Sequence, residues 1–153
     1  MTTNRPTFDL RVLTIGNSSI DIGAYLSDTY DDVGQASVEL PPLIEWINQN
    51  LQEAIEQKIV AKQRIAEEEA EAFFRLQGGE FSRLYGSKQT QAALEKAVCL
   101  DDAVKLAHRD YAAMSGWVSR LTNVQFSLNT KLELVRSTEA TRRRLIDNEH
   151  NQD

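Results

Sequence analysis

One helical pattern runs from Asp101 to Asp147 of this chain, unbroken by proline and carrying a single glycine, Gly116. Apolar side chains recur along it at Val104, Ala107, Tyr111, Met114, Val118, Leu121, Val124, Leu128, Leu132 and Val135, in steps of three and four. That rhythm is the seam of a helix packed along one edge against another helix or against copies of itself. At about 1.5 Å per residue such a helix reaches roughly 70 Å, more than a compact chain of this length spans. The expectation is an elongated or oligomeric protein, with Leu121, Val124, Leu128, Leu132 and Val135 as the subunit contact.

The rest of the chain is also read as mainly helical. Phe8 to Ile15 alternates Phe8, Leu10 and Val12, which predicts one short strand without a partner in its own chain. Gly16-Asn17-Ser18-Ser19 reads as a turn with helix-start chemistry, leading into a short helix within Ile20 to Leu40. Pro41-Pro42 is expected to stop that helix and open the next. From Leu43 to Gln77 a stripe of Ile44, Ile47, Leu51, Ile55, Ile59, Ala66, Ala70, Phe73 and Leu76 predicts a second long helix, ended by Gly78-Gly79. Thr90 is placed to cap a helix over Gln91 to Val98, and Asp101 or Asp102 to open the last one. The expected organisation is an N-terminal segment over 1–40, a helical oligomerisation domain over 41–147 and a disordered tail over 148–153. The fold class is mainly α: an elongated helical hairpin or bundle with a long C-terminal helix and the short N-terminal strand.

Composition excludes several classes. No apolar run approaches the roughly 18 residues that cross a bilayer, and the N-terminus lacks the order of a secretory signal. Cys99 is the only cysteine, so there is no internal disulfide. A cytoplasmic setting is expected. The net charge of −6 is unevenly spread: residues 1–77 hold 13 acids and 6 bases, residues 78–147 hold 8 acids and 11 bases. An acidic and a basic half can face different partners, or each other in an assembly.

Chemistry-bearing motifs are scarce. His108 and His150 have no ligand spacing, and the run Glu67, Glu68, Glu69 and Glu71 lacks the Glu-x-x-His partner of a carboxylate metal site. Neither a phosphate-binding glycine loop nor a G-x-S-x-G elbow occurs. The reading is a protein without catalysis, metal or cofactor. Basic residues near aromatic ones are the alternative signal. Arg75, Arg83 and Lys88 flank Phe73, Phe74, Phe81 and Tyr85, a combination that can track phosphates and stack on bases. Arg142-Arg143-Arg144 is denser, but cations near a helix C-terminus also answer the helix dipole. Trp46 and Trp117 sit in apolar stripes as core anchors.

The order of parts resembles one known family. A tryptophan-bearing helix (Glu45-Trp46-Ile47-Asn48), a Lys/Glu-rich continuation, the pair Phe73-Phe74, a glycine break, the helix start Lys88-Gln89-Thr90-Gln91 and a long final helix follow one another over roughly residues 40–137. In pattern and spacing this looks like the UvsY-like phage recombination mediators. The resemblance implies a homo-oligomeric ring, heptameric in the family's well-studied member, that binds single-stranded DNA. It implies that the ring helps a RecA-like recombinase replace single-strand-binding protein during recombination and repair. The family's Lys-x-Arg-apolar DNA-contacting motif matches Lys62-Gln63-Arg64-Ile65 counted from the tryptophan. Counted back from the aromatic pair, the acidic Glu68-Glu69-Ala70-Glu71 stands there instead. Lys58, Lys62, Arg64, Arg83 and Lys88 are the expected phosphate contacts, with the 58–64 and 83–88 regions left as alternatives. A helical structural or adaptor protein, such as a virion-assembly factor or an inhibitor of a host system, is the competing reading.

Overall fold

The computed structural model describes residues 12–15, 18–23, 33–86 and 90–150. It is mainly helical and ends in a long helix. In chain order come β1 (Val12–Ile15), β2 (Ser18–Asp21), α1 (Val33–Arg75), a π-helical turn (Leu76–Glu80), α2 (Phe81–Tyr85), α3 (Gln91–Leu100) and α4 (Asp102–His150). The chain divides into two compact units, one made of Met1–Gln49 with Leu121–Asp153 and the other of Asn50–Arg120. No helix among the described residues is long and apolar enough to cross a membrane.

In the first unit β1 pairs antiparallel with β2, Val12 opposite Asp21 and Ile15 opposite Ser18. The strand therefore has a partner in its own chain, contrary to expectation. Ser18 and Ser19 read as turn residues, but ladder bonds come from the backbone, which serine supplies as well as valine does. Phe8 and Leu10 lie outside the described residues, as do Tyr25, Leu26 and Tyr30 of the expected short helix.

Helix α1 runs through Pro41 and Pro42, which do not stop it. Each proline removes one N–H and crowds the preceding turn, at a cost of about 3 kcal/mol in a helix interior. Burial on the opposite face offsets that cost: Leu40 is 1% exposed, Ile47 0%, and Leu43 and Ile44 are also buried. The prolines themselves face water. There the carbonyls that lost their donors can be hydrated.

Leu121, Leu128, Leu132 and Val135 of α4 are buried in the same unit. Ser37 Oγ donates to Glu139 Oε1 at 2.8 Å, and Gln125 Nε2 donates to Asn48 Oδ1 at 2.6 Å. Advancing along α1 thus means retreating along α4: the two segments are antiparallel.

The second unit repeats that antiparallel arrangement. Arg64 meets Asp110, Glu69 meets His108 and Arg75 meets Asp101. Its core gathers Ala72, Leu76, Phe81, Leu94, Ala97, Val98 and Val104. The chain turns there through Gly79, whose φ of 114° only glycine adopts without strain, and the Phe81 N–H closes the turn on the Leu76 carbonyl. Gly86, at φ 59°, ends α2 in the left-handed conformation. Thr90 caps α3 as expected, its hydroxyl accepting from the Ala93 N–H at 3.2 Å. Asp101 does the same for α4, accepting from the Ala103 N–H at 2.9 Å.

The ten seam positions of α4 are all buried or half-buried, as their period predicts. The α1 stripe departs from expectation beyond Leu51. Ala54 and Ala72 are buried and Lys58, Ala61 and Ile65 half-buried, whereas Ile59, Ala66 and Ala70 are exposed. The tail also differs in part: α4 continues to His150, and residues 151–153 lie outside the described residues.

Candidate nucleic-acid interface

The expected phosphate contacts do not form one strip. Lys58 and Lys62 are one turn apart on α1, but Arg64 is two residues beyond Lys62 and so points to nearly the opposite side. The half-buried Lys58 holds its ammonium over the Tyr111 ring, 5.8 Å from the centroid. Arg64 lies between two carboxylates, Glu68 at 3.4 Å and Asp110 at 3.7 Å. Arg83 is 3.3 Å from Glu80. Lys62 is exposed, and Lys88 lies outside the described residues. Two of the five cations therefore already have an anion beside them, and the acidic run Glu67 to Glu71 follows directly.

The second cationic residue of this region is also taken. Arg75 joins Glu80 and Asp101, so that Arg83, Glu80, Arg75 and Asp101 make one chain of alternating charge. Glu80 Oε2 is shielded from solvent, and Arg75 Nε approaches it to 2.7 Å as a charge contact without hydrogen-bond alignment. The network ties the end of α1 to the start of α4. Its place in the fold is that of a clasp in which both arginines already face a carboxylate.

The aromatic residues split between core and surface. Phe81 is 3% exposed and stacks obliquely on Tyr85, with centroids 5.0 Å apart. Phe73 packs against the core and meets Phe74 edge-on. Only Phe74 and Tyr85 of this group stand open. Trp46 and Trp117 are half-buried.

The subunit-contact residues are placed differently from expectation. Leu121 and Leu128 are 0% exposed, Val135 1% and Leu132 8%, with Val124 half-buried, all within a single chain. An antiparallel segment of α1 already covers that edge, so it is core and presents no open face to another copy.

What remains open and basic is the far end of α4. Residues 141–147 are exposed on every side, and Arg142, Arg143 and Arg144 fan across some 200° of the helix at about 100° per residue. No carboxylate pairs with any of the three among the described residues. Because α4 continues to His150, the arginines stand back from its last turn. The dipole acts mainly within that turn, so it accounts for them poorly. Among the described residues no group of three or more His, Cys, Asp or Glu side chains could hold a metal ion. Comparison with protein-family models, curated proteins and solved structures finds no match to this chain.

Proposed function

We propose that this is a non-catalytic protein that binds single-stranded DNA and acts as a recombination mediator, loading a RecA-like recombinase in place of single-strand-binding protein. The observation that carries the reading is the fan of three exposed arginines, Arg142–Arg144, which form no ion pair among the described residues. Guanidinium groups without an internal anion are free to exchange counter-ions for phosphates. The expected contacts at Arg64 and Arg83 are set aside, since a phosphate there must displace a carboxylate. The recombinase and the single-strand-binding protein enter through the family resemblance alone.

Fluorescence anisotropy with a labelled oligothymidylate tests the reading. Three phosphates neutralised on a single strand correspond to a log–log salt slope of about −2, or roughly a 20-fold loss of affinity between about 50 and 200 mM salt. Arg142→Ala/Arg143→Ala/Arg144→Ala should abolish binding, whereas Arg64→Ala should leave it within about twofold. No binding by the wild-type chain at micromolar concentration and low salt rejects the reading. A helical adaptor that engages protein is then favoured, for which the internal neutralisation of Arg64 and Arg83 already speaks.

A further inference from the structure

The end of α4 is a bare helix with arginines on three of its sides. Ser37 of α1 lies beside Glu139, and α1 begins one turn earlier at Val33, so the last residues of α4 run past the start of α1. Residues 141–147 are exposed all round, Leu145 at 60% and Ile146 at 47%. At about 100° per residue, Arg142 and Arg144 stand to either side of Arg143. Ile146 falls inside that arc, roughly 60° from Arg143, and so does Asp147, about 40° from it and one turn further on. Thr141 and Leu145 lie on the opposite side. Glu139, the other acid of this stretch, is half-buried and accepts from Ser37.

We infer that this end of α4 enters the major groove of duplex DNA, with Arg143 toward the base edges and Arg142 and Arg144 toward the two phosphate backbones. The inference rests on the reading that Arg142–Arg144 contact DNA, and it names the form of DNA that their directions fit. A helix about 10–12 Å across fits a groove about 12 Å wide. The two walls of the groove lie on opposite flanks of such a helix, so Arg142 and Arg144 each meet a phosphate. A single strand lies on one side of the helix and reaches both only by wrapping around it. Between the walls, an arginine takes the O6 and N7 of a guanine together, and an apolar side chain such as Ile146 meets a thymine methyl group. Asp147 stands on the Arg143 side, toward the base edges, where cytosine amino groups are donors; against a phosphate it would repel.

The three arginines are then unequal on duplex DNA. Two phosphate contacts correspond to a log–log salt slope of about −1.8. Arg142→Ala and Arg144→Ala should each reduce that slope by about 0.9, for all sequences alike. Arg143→Ala should leave the slope unchanged and remove a preference of about tenfold for G·C over A·T pairs.

Fluorescence anisotropy of the full chain tests this with a labelled G·C duplex, an A·T duplex and an oligothymidylate of equal phosphate number, from about 50 to 200 mM salt. The G·C duplex should be bound at least as tightly as the oligothymidylate. The three side chains are exposed, so circular dichroism of each alanine variant should match the wild type. Binding of the oligothymidylate with both duplexes about tenfold weaker or more overturns the inference and leaves the single-strand reading in place. Equal effects of the three variants on slope and base preference also overturn it, since a cluster outside a groove treats them alike. If neither form of DNA binds, both readings fall.

Discussion

Asp101 does two physical jobs at once, and two substitutions separate them. Its Oδ1 accepts from the Ala103 N–H at 2.9 Å and the Val104 N–H at 3.5 Å, capping α4, while its Oδ2 pairs with Arg75. Val104, at the capped turn, is 1% exposed and belongs to the core, so loosening the cap disturbs packing as well as hydrogen bonding. Loss of an Asp cap to Ala costs about 1 kcal/mol. A negative charge at a helix start adds about 0.5 kcal/mol through the dipole. The pair with Arg75 is worth about 0.5 kcal/mol, discounted because the Arg75 side chain is 53% exposed and keeps Glu80 as a second partner. Asp101→Ala should therefore cost about 2 kcal/mol. Asp101→Asn keeps a capping oxygen and loses only the charge, so it should cost about 1 kcal/mol. Urea unfolding followed by circular dichroism, with unchanged m-values, measures both. Equal losses for the two variants would refute the capping account. A loss for Asp101→Ala under about 0.5 kcal/mol would refute both parts.

Two further expectations bear on the fold. Leu128→Ala, at a position with no exposure, should cost about 3–4 kcal/mol. That loss should not vary with protein concentration, whereas a melting temperature rising with concentration would return the α4 seam to a subunit interface. Gly79→Ala should cost about 1–2 kcal/mol, because φ 114° is strained for any residue with a Cβ even though open space surrounds it. A thermal melt of that variant indistinguishable from wild type would mean the turn is not held in the left-handed region.

The α4 seam was legible because a three-four rhythm survives any choice of partner. Which helix covers it was not, since Leu128 offers the same surface to its own chain as to a copy. Along α1 the apolar pattern misled beyond Leu51. There the covered line is held by alanines, Ile65 and the stem of Lys58, and a long polar side chain shields a seam without registering as apolar. Pro41-Pro42 was read by a local rule that tertiary burial of Leu40, Leu43, Ile44 and Ile47 outweighs. The caps at Thr90 and Asp101 and the break at Gly79 were legible because each needs only its own few residues.

The binding residues were less legible for a reason that belongs to electrostatics. A sequence records charges one at a time, but a phosphate responds to the field left after internal pairing. Arg64 and Arg83 look as basic as Arg143 on the page. In the fold the first two pair with Glu68, Asp110 and Glu80, and the third is exposed and forms no ion pair among the described residues. Displacing a carboxylate offsets most of what a phosphate contributes, so equal formal charges give unequal contacts.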